Sequence, residues 1–147
     1  MIFLIHAARV ARTLAVGLWV GAMAGFAFIF APIAFHVLGA TPAFAAIIAA
    51  TIRVLTAFGA ACAVVAIAST YLLGASRPRA LAIATALLVM VGLCIVEVAF
   101  IVPQMERTAL HTSAYSSLHG ESSAVYSVVL LLGILSLAAI SVREHEN

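Results

Sequence analysis

The sequence predicts an all-α fold, an integral membrane four-helix bundle with both termini cytoplasmic. Three observations carry this. The 147 residues are 66% hydrophobic and 8% charged, whereas charged residues make up about a quarter of an ordinary soluble domain. Four apolar stretches reach the length of about 20 residues that a hydrocarbon core requires. The seven arginines and five glutamates, which leave a formal charge of +2, lie at the ends of or between those stretches, Glu97 excepted. One domain, 1–147, is expected, with spans at about 14–35, 54–75, 80–102 and 122–142.

The first span follows Arg9 and Arg12. Its apolar run is too long for a cleavable signal peptide and no A-x-A-type site follows cleanly, so it is expected to belong to the mature protein. Within "GLWVGAMAGFAFIFAPIAFH", Gly17, Gly21 and Gly25 repeat every fourth residue. Small residues at that spacing let helix backbones approach closely in lipid, within one chain or between copies. Phe26, Phe28, Phe30 and Phe35 read as bundle or lipid contacts. Pro32 removes a backbone donor and is expected to bend the helix near its end, which would aim His36 inward.

From Pro42 to Ala75 only Gly59 and Gly74 break the pattern, so the second helix is expected to protrude about three turns beyond the bilayer. Arg53 would then snorkel toward the headgroups. The link "GASRPRA", Gly74 to Ala80, suits a tight turn. In the third span, Met90, Cys94 and Glu97 share one face. Glu97 lies roughly 7–8 Å below the expected helix end, a depth at which ionisable groups are costly and face a bundle interior or a watery cavity. It reads equally as an acid hydrogen-bonded to Ser, Tyr or Arg53 and as part of a site. Cys62 and Cys94 lie in apolar runs and are expected to be free thiols.

The fourth span is preceded by "HTSAYSSLHGESSAVYS", His111 to Ser127. A helix starting near Thr108 would put His111, Tyr115, Leu118, His119, Ser122 and Tyr126 on one face, with Gly120 leaving room for a break.

Orientation follows from arginine placement. Arg9, Arg12, Arg77, Arg79 and Arg143 fall on the side of the termini, against Arg53 and Arg107 opposite. His36, Glu97, Met105, Glu106, His111, His119 and Glu121 then lie on the outer side, and His6, Glu144, His145 and Glu146 in solvated cytoplasmic ends.

The outer His and Glu residues nominate a transition-metal site. Imidazole suits Cu, Zn and Fe, and thioether and thiolate sulfur favour Cu(I). The candidate ligands are His36, Glu97, His119, His111, Glu106 and Met105. His111 and His119 would stand ~12 Å apart on one helix, so a site must be assembled across helices, as by His36, Glu97 and His119. Haem b held axially by His36 and His119 is an alternative, and a cofactor-free accessory subunit or scaffold is a third. Ser122, Ser123 and His119 lack any nucleophile-elbow or oxyanion signature, so hydrolysis is not expected. No basic stripe suggests nucleic acid; the expected partners are the lipid bilayer and a homo-oligomer or larger membrane complex.

"WVGAMAGFAFIFAPIAFHVLGA" (Trp19 to Ala40) and "LHGESSAVYSVVLLLG" (Leu118 to Gly133) resemble the small four-helix membrane proteins related to transmembrane protein 205. The shared features are the W-x-G opening, Ala-Pro followed by Phe, and Leu-His before a Ser. That architecture is similar to copper-resistance D membrane proteins and to the four-helix protoporphyrinogen oxidase. The resemblance implies copper handling or porphyrin chemistry, a bacterial inner-membrane location, and importance for Trp19, Gly21, Pro32, Phe35, His119 and Ser122.

Overall fold

The computed structural model describes residues 2–74 and 76–141. Arg143, Glu144, His145 and Glu146 lie outside the described residues, as do the side chains of Arg77 and Arg79. The chain is all helical: α1 (Ile2–Gly25), a π-helical turn (Phe26–Phe30), α2 (Ala31–Leu38), α3 (Pro42–Leu72), α4 (Arg77–Val96), a second π-helical turn (Glu97–Ile101), α5 (Val102–Arg107) and α6 (Ser113–Ser141). Four continuous helices are long and apolar enough to cross a membrane: Ile2–Leu38, Pro42–Leu72, Ala80–Arg107 and Ser113–Ser141.

Each span runs past its hydropathic core, for local reasons. The second does start at Pro42, where Thr41 caps it by accepting from the Phe44 N–H at 3.3 Å and proline needs no partner for its missing donor. Gly39 supplies the positive φ of 63° that ends α2. The fourth helix starts at Ser113 rather than near Thr108: Thr112 accepts from the Tyr115 N–H, and His111 just before it holds a φ of 65°. His111 therefore is not on the helical face that the spacing predicts. No break occurs at Gly120.

The two π-helical turns share one cause. Each is followed by a single residue and then a proline, Ala31-Pro32 and Val102-Pro103. A proline ring has no N–H and crowds the carbonyl four residues back. The ladder shifts to five-residue spacing just before it, with Ala31 N–H donating to the Phe26 carbonyl and Val102 N–H to that of Glu97. The expected bend at Pro32 thus takes the form of a widened turn, repeated in the third span.

The spans form a ring in chain order. α1 packs on α3, α3 on α4, α4 on α6 and α6 on α1, so neighbours run antiparallel. One core joins Val16, Trp19, Met23, Cys62, Ala66, Leu87, Met90, Val129 and Ile140. A smaller one joins Phe26, Ala49, Ile52 and Val102, away from the termini. Tyr126 packs against both. Only 22–28% of each span's most apolar stretch is buried; side chains such as Leu14, Phe28, Val64, Leu88 and Leu131 point outward, as lipid contact requires.

Close helix approach falls on glycines other than the predicted stripe. A Cβ at Gly59 would sit 2.3 Å from the Trp19 indole, and one at Gly133 2.6 Å from Val20 Cγ2. Around Gly17, Gly21 and Gly25 an added Cβ would meet nothing within 4 Å. The glycine stripe of the first helix therefore does not serve packing within the chain.

Candidate functional site: the Glu97 cavity

Glu97 opens the second π-helical turn and is only 2% exposed. Because the third helix continues to Arg107, the carboxylate lies about 15 Å from that helix end, farther from it than the sequence suggested. The Ser122 hydroxyl of α6 donates to its Oε1 at 2.5 Å. Its Oε2 is buried and has no hydrogen-bond partner among the described residues. A buried oxygen in that state is a local cost of about 1–3 kcal/mol, and an ion or water that satisfies it removes that cost.

The first π-helical turn reaches the same helix. Phe26, its opening residue, packs on the Tyr126 ring at a centroid distance of 5.4 Å, and the Tyr126 hydroxyl donates to the Met23 carbonyl at 3.3 Å. Ser122 and Tyr126 are one turn apart on α6, so the two widened turns grip adjacent positions of the fourth helix.

Between these contacts all four spans line a cavity of about 10 Å³, room for one water or one small ion. Glu97, Cys94, Met23, Trp19, Thr56 and Tyr126 contribute to its wall, with Ile52, Leu55, Val125 and Val129. The wall is almost wholly apolar, and Glu97, Cys94, Met23, Trp19, Thr56 and Tyr126 are the lining residues whose side chains carry a heteroatom.

Of the six residues nominated from the sequence, only Glu97 lies at this site. His36 is exposed in the last turn of α2, beside Phe35, whose ring packs edge-on against Phe44. His119 is exposed on α6, about one turn before Ser122. His111 is exposed before α6. Met105 is half-buried in α5. Glu106 takes two 2.8 Å hydrogen bonds from Arg53 Nη2, so Arg53 engages a neighbouring helix. Among the described residues, no three His, Cys, Asp or Glu side chains gather as a metal-holding group. His36, Glu97 and His119 do not make one. The cavity is also far smaller than a porphyrin, and neither His36 nor His119 lines it.

Sequence reasoning missed Met23, Thr56 and Tyr126 as neighbours of Glu97. One usable signal was present: a proline six residues beyond both Phe26 and Glu97, deep in an uninterrupted apolar run, marks where a helix must widen. The shared face of Cys94 and Glu97 was the other.

Comparison with protein families matches residues 14–114 to a domain of unknown function, DUF4149. The chain belongs to the DUF4149 family. No curated protein and no solved structure matches it. The DUF4149 match contains Trp19, Met23, Thr56, Cys94 and Glu97; Ser122 and Tyr126 lie beyond its end.

Proposed function

We propose that this DUF4149 protein is a multi-pass bacterial inner-membrane protein that binds a single transition-metal ion inside the bundle, with Glu97 as the central ligand. The observation that carries the reading is the Glu97 carboxylate, buried to 2% with one oxygen unpartnered at a cavity of single-ion size. Ionisable groups at such depth mark ion pathways and binding sites when they face a cavity. Cys94 and Met23 line the same cavity, and their sulfur-bearing side chains are of a type that binds transition metals. The histidines do not fit that role, and a haem has no support in a cavity of this size.

Arginine placement favours both termini on the cytoplasmic side, which puts the Glu97 half of the bundle toward the outer side. The finer likeness to transmembrane protein 205 and copper-resistance D proteins belongs to the same proposal.

Elemental analysis by mass spectrometry tests it, on protein purified in mild detergent without a His tag or added metal. The reading expects one transition metal near stoichiometry in the wild type and its loss in Glu97→Gln, which keeps the side-chain shape. Background metal in the wild type, with Glu97→Gln unchanged in yield and folding, would leave a cofactor-free scaffold in which Glu97 and Ser122 only join helices.

A further inference from the structure

We infer that two copies of this chain associate through α6, parallel and side by side, along its outward face from Ser113 to Leu131.

Height in the bundle singles this face out. The Ser122 bond to Glu97 fixes α6 against the third span, and the Phe26–Tyr126 ring contact fixes it against the first. Glu121 stands one residue beyond Ser122, toward the end away from the termini, and is exposed. Both flanking spans present large apolar side chains still farther out. Phe100, three residues beyond Glu97, is 61% exposed, and Ile33, seven beyond Phe26, is 58% exposed. On α6, exposed large apolar side chains begin only at Val128. From Ser113 to Ser127 its exposed positions are all Ser, Ala, Gly, His or Glu. A carboxylate and a row of hydroxyls at that height are costly against lipid tails. A polar surface of the same height removes that cost.

Spacing names the partner. Ser113, Ser117, Gly120, Ala124, Ser127 and Leu131 are all exposed and follow one another by four and three residues in alternation. That repeat keeps one seam facing a neighbouring helix along its length. All but Leu131 are small, so backbones approach closely, and serine hydroxyls bond across such contacts. A second copy about a two-fold axis along the bundle sets each seam residue against its own counterpart. Positions flanking the seam then pair between helices, which brings the Glu121 carboxylate to the Ser116 hydroxyl of the second copy, twice by symmetry. A hydroxyl donating to a carboxylate is one of the stronger hydrogen bonds. The glycine stripe of α1 is also open, but its exposed neighbours are Leu14, Leu18 and Phe28, which lipid satisfies.

Oxidative cross-linking of the full chain in native membranes tests this with single added cysteines. Ser117→Cys and Ala124→Cys should give disulfide-linked dimers. Gly21→Cys on the first span and Leu88→Cys, at a 60% exposed position of the third, should give at least tenfold less. The parent should give none, since Cys62 is buried and Cys94 lines the internal cavity. Sedimentation of the purified chain in density-matched detergent supplies a second reading: a dimer mass for the parent and a monomer mass for Gly120→Ile. An added Cβ at Gly120 meets nothing within 4 Å of its own chain, so that variant spares the fold. A monomeric parent, cross-linking through Gly21→Cys rather than Ala124→Cys, or equal cross-linking at all four positions would each overturn the dimer. Glu97→Gln should leave it intact, so the dimer stands or falls apart from the metal site.

Discussion

Glu97 and Ser122 form one unit across two helices, and the unit has measurable consequences whatever the ion. Ser122→Ala leaves both Glu97 oxygens without a protein partner and should cost about 1–3 kcal/mol. Glu97→Gln retains a carbonyl able to accept from Ser122 and should cost less than Glu97→Ala, which also opens space. Reversible unfolding in mixed detergent measures the order; equal losses for Gln and Ala would show that Ser122 does not bond this side chain. The Arg53–Glu106 pair is a contrast. Its side chains are 44% and 39% exposed, so Glu106→Gln should cost under ~1 kcal/mol and the difference should shrink with salt. The roles of single residues were unevenly legible. Glu97 was legible because a carboxylate inside an apolar run has few harmless places to go. His119 was not, since its position depends on the phase of α6, set by the Thr112 cap and the contacts of Ser122 and Tyr126.

At the scale of helices, the glycines separate close approach from open surface. Gly59→Ala drives a methyl group into the buried Trp19 indole, and Gly133→Ala into Val20 and Met90; overpacking of this kind costs about 1–3 kcal/mol. Gly21→Ala meets nothing within 4 Å and removes a flexible residue from a helix interior, so it should be neutral or stabilising by roughly 0.5–1 kcal/mol. Thermal unfolding of the three variants checks this, and a large loss in Gly21→Ala would contradict the packing described. The extent of the second helix was readable because Thr41-Pro42 and Gly74 punctuate the chain locally. The glycine stripe misled because spacing says where helices can approach, and only the partner helix decides where they do. The π-helical turns were half-visible: each proline announces a broken ladder, but how the ladder closes depends on the neighbours. Pro103→Ala restores the missing donor and lets 97–101 wind as a regular helix. That turns α5 by about 100° relative to Glu97, and should separate Arg53 from Glu106. The coupling between Arg53 and Glu106 measured by a double-mutant cycle should be present in the parent and lost with Pro103→Ala.

For the molecule as a whole, the ring of four antiparallel spans puts His36, Arg53 and Glu106 at the end opposite Ile2 and Ser141. If the arginine bias sets orientation as proposed, a membrane-impermeant thiol reagent added outside intact cells should label Ala40→Cys and spare Ser76→Cys, and the reverse pattern would invert the bundle. The fold class was legible because hydropathy is additive along the chain and each span declares itself. The site was not, because it is assembled from two or three residues on each of four helices. Only the helix phases bring Met23, Thr56, Cys94, Glu97 and Tyr126 together. The central claim is that the Glu97 carboxylate holds a single metal ion inside the bundle. X-ray absorption spectroscopy of the metal-bearing protein as purified tests it most directly. The account predicts oxygen scatterers around one ion, with no outer-shell imidazole signature and with the metal lost in Glu97→Gln. A spectrum dominated by imidazole would contradict it and return the site to His36, His111 and His119.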